Sequence, residues 1–173
     1  MTDSEVFYCL RECPVGWLAL LGTEKGLRRI SLQPDPVDAL AGLGNSAQSA
    51  AESPAAFADA LAAFDAYFAG DMTALEGVKV ELTDPSPFFA AAWQACRGIP
   101  PGETRSYQWL ADAAGNPKAS RAAGQAMAKN PLPLVIPCHR VVGSGGGLHG
   151  YGGGGLGVKA RLLEMERQQR PLF

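Results

Sequence analysis

The chain has 173 residues, 47% of them hydrophobic, and a formal net charge of −2. That is enough to bury the core of one large or two small domains, and no apolar run approaches the ~18 residues that would cross a bilayer, which excludes a membrane-spanning role. The charge is divided: residues 1–87 carry 13 acidic and 5 basic side chains, net −8, and residues 88–173 carry 4 acidic and 10 basic, net +6. The second half has the electrostatic footprint that nucleic acid requires, although solvated surface charge alone would look the same.

The amino terminus, Met1-Thr2-Asp3-Ser4-Glu5, is acidic where a secretory signal is basic. The chain is therefore expected in the cytoplasm, with Cys9, Cys13, Cys96 and Cys138 as free thiols. Cys9 and Cys13 would share one face of a strand, but no Cys-x-x-Cys pair or nearby histidine accompanies them. Packing is the better role, and neither a metal nor a cofactor is expected.

Three apolar runs, Val6–Leu10, Gly16–Leu21 and Leu27–Leu32, predict a small antiparallel sheet, with Thr23-Glu24-Lys25-Gly26 as the turn between the last two. Residues 34–54, rich in Gly, Ser, Ala, Pro and Asp, predict loop or broken helix. From Pro54 to Gly70 the spacing of Phe57, Leu61, Phe64 and Phe68 predicts a helix with one apolar face. Val78-Lys79-Val80-Glu81-Leu82 alternates as a short strand. Residues 83–87 then read as a link.

Ser86 as cap, Pro87 in the first turn and Gly98 at the end bound a helix that places Phe89, Trp93 and Cys96 on one face, so Cys96 is core. Ser106 caps a second helix, Tyr107–Ala114, which Gly115 stops. Asn116 is predicted to cap a third from Pro117 to about Lys129, where Pro131 forbids continuation. Two helices joined by a glycine turn in the basic half form a helix-turn-helix candidate. The second has an almost flat surface of Ala119, Ser120, Ala122, Ala123, Gly124 and Ala126, from which Arg121 projects. Such a face can approach a groove closely, and a single long side chain can enter a base stack as a wedge.

The stretch Asn130–Val142 sets a thiol, an imidazole and a guanidinium side by side at Cys138-His139-Arg140, among three prolines and the apolar Leu132, Leu134, Val135, Ile136 and Val141. This predicts a buried, rigid, non-helical path. A lone cysteine there would be read as packing. His139 as proton acceptor, the charge of Arg140 and a backbone fixed by Pro137 are surroundings in which a thiol becomes a nucleophile.

Ten of the residues from Gly143 to Gly157 are glycine, which predicts a loop. Gly145–Gly150 matches the dinucleotide pattern G-x-G-x-x-G, but no helix can begin among so many glycines, so the match is accidental. The phosphate-loop pattern fails at Val158-Lys159-Ala160, and Ser144 stands where a cysteine phosphatase needs its arginine. A helix from about Val158 to Gln169 closes the chain, and its Glu166 could reach back to His139.

Together, Pro137-Cys138-His139-Arg140-Val141, Asn130-Pro131, Ser106-Tyr107-Gln108, Ala114-Gly115-Asn116-Pro117 and Arg121 resemble the O6-alkylguanine-DNA alkyltransferases, also called methylated-DNA–protein-cysteine methyltransferases. The resemblance runs from about Phe88 to Glu166 and is weaker in the amino-terminal sheet. It implies an α+β fold, with a sheet-and-helix scaffold at residues 1–84 and a helix-turn-helix-containing DNA-binding and alkyl-acceptor domain at residues 85–173. It also implies that Cys138 takes the alkyl group from O6-alkylguanine, and from O4-alkylthymine, permanently and once per molecule.

The family's roles carry over by position. His139 and Glu166 would activate Cys138 through a water, with Asn130 as the hinge of the turn. Tyr107 would press on the phosphate beside the lesion, and Arg121 would fill the gap left by a flipped base. Tyr151 would line the pocket, with the carbonyls of Cys138 and Val141 and the N–H of Gly152 recognising guanine. Lys118, Ser120 and Gly124 would face DNA. The partner is double-stranded DNA entered through its minor groove, and the protein would act as a monomer.

The chain departs from the family at Pro101, Gln125 and Gly152, where an aromatic residue, glycine and serine respectively are common. Two alternatives fit less well. A non-catalytic lesion-binding relative would lack Cys138, and a sequence-reading regulator would need longer side chains on the flat helix.

Overall fold

The computed structural model describes residues 4–148 and 155–169. The chain divides into two compact units, Met1–Thr83 and Asp84–Phe173.

In the first unit, β1 (Phe7–Cys13), β2 (Gly16–Thr23) and β3 (Gly26–Gln33) form an antiparallel meander. β2 lies between its neighbours and buries Leu18, Ala19, Leu20 and Leu21 in succession. A strand covered on both faces shows such a continuous apolar run. The segment expected to be loop or broken helix supplies a short α1 (Pro36–Ala41), capped by Asp35, a 3-10 turn, and a two-residue β4 (Ala51–Glu52). β4 pairs parallel to β1, so the sheet has order β3-β2-β1-β4 and is mixed at that edge.

The predicted helix from Pro54 opens as a 3-10 turn, Pro54–Phe57, and continues as α2 (Ala58–Phe68), which buries Leu61, Phe64 and Tyr67. Val78–Leu82 is not a strand: it makes one parallel bridge, Val80 to Leu27, with Leu27 N–H donating to Lys79 O at 2.9 Å and Glu81 N–H to Leu27 O at 2.7 Å. Gly26 makes this approach possible. At φ +153° a Cβ there would stand 2.8 Å from the Val80 backbone, closer than any side chain tolerates.

In the second unit, α3 (Pro87–Arg97) forms as its caps dictate, Ser86 Oγ accepting from Phe89 N–H at 3.2 Å. Trp93 Nε1 donates to Ala126 O at 2.8 Å, fastening α3 to the third helix. Ser106 Oγ accepts from Trp109 N–H at 3.0 Å and starts α4 (Tyr107–Ala113). The third helix, α5 (Ser120–Ala128), begins three residues later than its predicted start at Pro117. Asn116 is the reason. Its Oδ1 accepts from Lys118 N–H at 3.2 Å and its carbonyl from Ala119 N–H at 3.0 Å, closing a turn in place of a helix cap, a local bond that asparagine offers the backbone.

Two-residue strands β5 (Arg105–Ser106) and β6 (Val141–Val142) pair in parallel and hold the end of the central stretch beside the start of α4. The last helix, α6 (Leu156–Gln169), buries Val158, Lys159, Leu162 and Glu166.

Candidate active site

The path from Asn130 to Val142 is as buried as predicted: every residue from Leu132 to Val142 lies in the interior. Burying each large apolar side chain stabilises this path by about 1.5–3 kcal/mol. Asn130 clamps it at both ends, Oδ1 accepting from Leu132 N–H at 2.9 Å and Nδ2 donating to Ile136 O at 2.8 Å. Between them Leu134 sits at φ +76°, a left-handed conformation that costs a non-glycine residue ~1 kcal/mol or more. Ile136 N–H closes the turn onto Leu132 O at 2.8 Å.

The polar triplet departs from the non-helical path that the composition of this stretch predicts. Cys138–Arg140 is a single 3-10 turn. With three residues per turn, adjacent side chains diverge by about 120°, so Cys138 and His139 point in different directions. His139 and Glu166 are fully buried, and Nε2 lies 2.7 Å from Glu166 Oε1. An ionised carboxylate only accepts, so Nε2 carries the hydrogen and Nδ1 is left as the basic lone pair. That Nδ1 is buried without a hydrogen-bond partner among the described residues.

Arg140 does not lend its charge to the thiol. Its Nε and Nη2 donate to Glu166 Oε2 and Oε1 at 3.0 and 2.8 Å, and Nη1 donates to Ile99 O at 2.8 Å, tying the loop to the end of α3. Burial would push the Glu166 carboxyl up, but the charges and hydrogen bonds of His139 and Arg140 outweigh it and hold the carboxyl well below the usual range. Glu166 therefore stays ionised and can stabilise a protonated His139.

The cation whose charge lowers the Cys138 thiol is Lys159. It is 1% exposed, and its Nζ donates to Val141 O at 2.8 Å. Burial lowers its ammonium while the charge of Cys138 raises it. Desolvation pushes the Cys138 thiol up, opposed by the Asn130 hydrogen bond, the Lys159 charge and the N–H groups of Cys138 and His139. The resting sulfur is thus a thiol that needs a base, in a setting built to accept its anion. Cys96 is buried, and burial followed by the charge of Cys138 pushes its thiol up against the opposing charge of Arg140, which leaves it inert.

Lys159 has no role in the reading from sequence. The available signal is its position at i, i+3 and i+7 with Leu162 and Glu166, which puts two charged residues on an otherwise apolar face. Tyr107 is half-buried, and desolvation followed by Cys138 raises its phenol. It packs beside Gly124, where a Cβ would lie 3.9 Å from Tyr107 Cδ1. Arg121 and Lys118 are exposed and Ser120 is half-buried. Tyr151 and Gly152 lie outside the described residues.

Two family models match in succession. Residues 6–82 match the ribonuclease-like domain of 6-O-methylguanine DNA methyltransferase, and residues 87–168 match its DNA-binding domain. The chain belongs to the 6-O-methylguanine DNA methyltransferase family. A methylated-DNA–protein-cysteine methyltransferase of Mycolicibacterium paratuberculosis is 39% identical over 160 residues, 92% of each chain. The constitutive enzyme of Bacillus subtilis is 39% identical over 163 residues, 93% of this chain and 95% of its own. Among family structures, the crystal structure of the Mycobacterium tuberculosis O6-methylguanine methyltransferase superposes with TM-score 0.81 at 37% identity, covering 97% of this chain and 96% of that one. The M. tuberculosis protein in complex with DNA gives TM-score 0.81 at 36% identity, covering 96% of each.

Proposed function

We propose that this chain repairs duplex DNA by moving the alkyl group of O6-alkylguanine, and by the same chemistry that of O4-alkylthymine, irreversibly to Cys138. The observation that carries this is a buried thiol in one short turn with an imidazole whose Nε2 is held by an ionised carboxylate and whose Nδ1 has no hydrogen-bond partner among the described residues. A bridging water takes the thiol proton to His139 Nδ1, and Glu166 stabilises the imidazolium. The sulfur attacks the alkyl carbon, the carbon–O6 bond breaks with its electron pair going to the base, and the proton returns to guanine N1. The products are guanine and a thioether. No step regenerates the thiol, so one molecule acts once.

Lys159 steadies the developing thiolate and orients the Val141 carbonyl toward the guanine amine. Asn130 holds the turn, and Tyr151 and Gly152 complete the pocket. Because O6 lies on the major-groove edge of its pair, a protein seated in the minor groove reaches it only once the base is extruded. Tyr107 presses on the neighbouring phosphate and Arg121 occupies the space left behind. Lys118, Ser120 and Gly124 meet the DNA, residues 85–173 being the DNA-binding and acceptor domain and residues 1–84 its scaffold. The protein acts as a monomer on chromosomal DNA in the cytoplasm.

Intact mass after incubation with duplex O6-methylguanine tests the reading. One methyl per protein, mapped to Cys138, is expected. No gain, or a methyl on Cys9, Cys13 or Cys96, refutes it.

A further inference from the structure

α5 carries two long side chains on its exposed face, and the proposed repair reaction uses only Arg121. The helix buries Ala123, Ala126 and Met127. It exposes Arg121, Gln125 and Ala128, with Ala122 and Gly124 half-buried between them. Gln125 follows Arg121 by four residues, so both leave the same face, about 6 Å apart along the axis. Lys129 turns elsewhere, its Nζ lying 6.0 Å over the Phe89 ring. Gly124, next to Gln125, abuts Tyr107. The side-chain amide of Gln125 is exposed and has no hydrogen-bond partner among the described residues.

A neutral amide brings no charge to phosphate, and a hydrogen bond donated there would employ only its NH2, so a backbone contact does not use both halves of the group. Base edges do. In the minor groove an A·T pair presents only acceptors, whereas guanine presents the N3 acceptor beside the N2 amino donor. A primary amide carries one group of each kind. Its NH2 can donate to N3 while its oxygen accepts from N2–H, a pairing that guanine alone satisfies. Arg121 can only donate and makes no such distinction.

We propose that Gln125 reads the minor-groove edge of a base pair beside the extruded base and selects guanine there. This rests on the proposed entry of duplex DNA against α5 from the minor groove. A separation of about 6 Å spans roughly two base-pair steps of ~3.4 Å, which places the pair one or two steps from the lesion.

The test is single-turnover methyl transfer by the full chain from O6-methylguanine duplexes. Guanines at the first and second steps on either side are replaced one at a time by inosine, which lacks only the N2 amino group. Wild type is compared with Gln125→Ala, a substitution that favours an exposed helix. Wild type is expected to slow about fivefold or more at one position, the lower end of a base-edge contact, while Gln125→Ala shows no such slowing. Free O6-benzylguanine should react equally with both. Equal inosine effects in the two proteins, no effect in wild type at any position, or a slower free-base reaction in Gln125→Ala overturns the assignment of Gln125. Absence of transfer by wild type to every duplex overturns the transferase reading itself, and this inference with it.

Discussion

Replacing Glu166 with glutamine separates the charge of the buried carboxylate from its shape. Arg140 reaches it through Nε and Nη2 at 3.0 and 2.8 Å, and His139 Nε2 lies at 2.7 Å. The three side chains are at most 8% exposed. Glutamine preserves the volume, so no cavity opens, but the Arg140 guanidinium is left buried without a counter-charge. Breaking a buried pair in this way costs about 3–5 kcal/mol. With a urea slope of about 2 kcal/mol/M, the unfolding midpoint of the second unit falls by about 2 M.

The charge also governs acid sensitivity. A carboxyl held below its unfolded value contributes stability that is fully present above about pH 4.3 and is lost as pH falls from there toward the folded value. Wild type should therefore weaken below about pH 4.3 more steeply than Glu166→Gln. Asp35 and Glu81, whose carboxyls are also held low, belong to the first unit. A Trp17→Phe background leaves Trp93 and Trp109, both in residues 84–173, as the fluorescence reporters. A midpoint shift under about 0.5 M, or the same acid dependence in both proteins, would refute the role given to this carboxylate.

Arg121→Ala should slow repair of alkylated duplex strongly and leave reaction with free O6-benzylguanine nearly unchanged, because the free base needs no extrusion. Equal slowing with both substrates would place Arg121 in the chemistry or the fold, and no slowing with duplex would return it to the surface. Lys159→Met removes the cation whose charge lowers the Cys138 thiol and releases the Val141 carbonyl at similar volume. Transfer near pH 7 should fall about tenfold or more with duplex and free base alike, equivalent to moving the thiol up by one pKa unit or more. Rate–pH profiles should show partial recovery in alkali, and an unshifted profile would count against Lys159.

What the sequence determined by itself is what neighbouring residues decide. Ser86 with Pro87, and Ser106, start helices by satisfying N–H groups within three residues, so both starts were legible. The three-stranded meander follows from alternating and continuous apolar runs separated by turn residues. The Asn130–Val142 stretch announced its burial by composition, and adjacency marked Cys138-His139-Arg140 as the candidate site.

Tertiary structure decided the rest, because the deciding partner lies elsewhere in the chain or competes locally. Asn116 could cap a helix or close a turn, and the turn wins. Val78–Leu82 alternates like a strand, yet it makes a single bridge, Val80 to Leu27, where Gly26 lets the backbones approach. The charge of Arg140, two residues from Cys138 in sequence, is taken by Glu166, 26 residues away, while that of Lys159, 21 positions from the thiol, favours the Cys138 anion. Sequence proximity sets which residues can meet in a turn. Which charges neutralise one another depends on α6 packing its Lys159–Glu166 face against that turn, where a buried charge must find a partner or go unpaired at a cost of several kcal/mol.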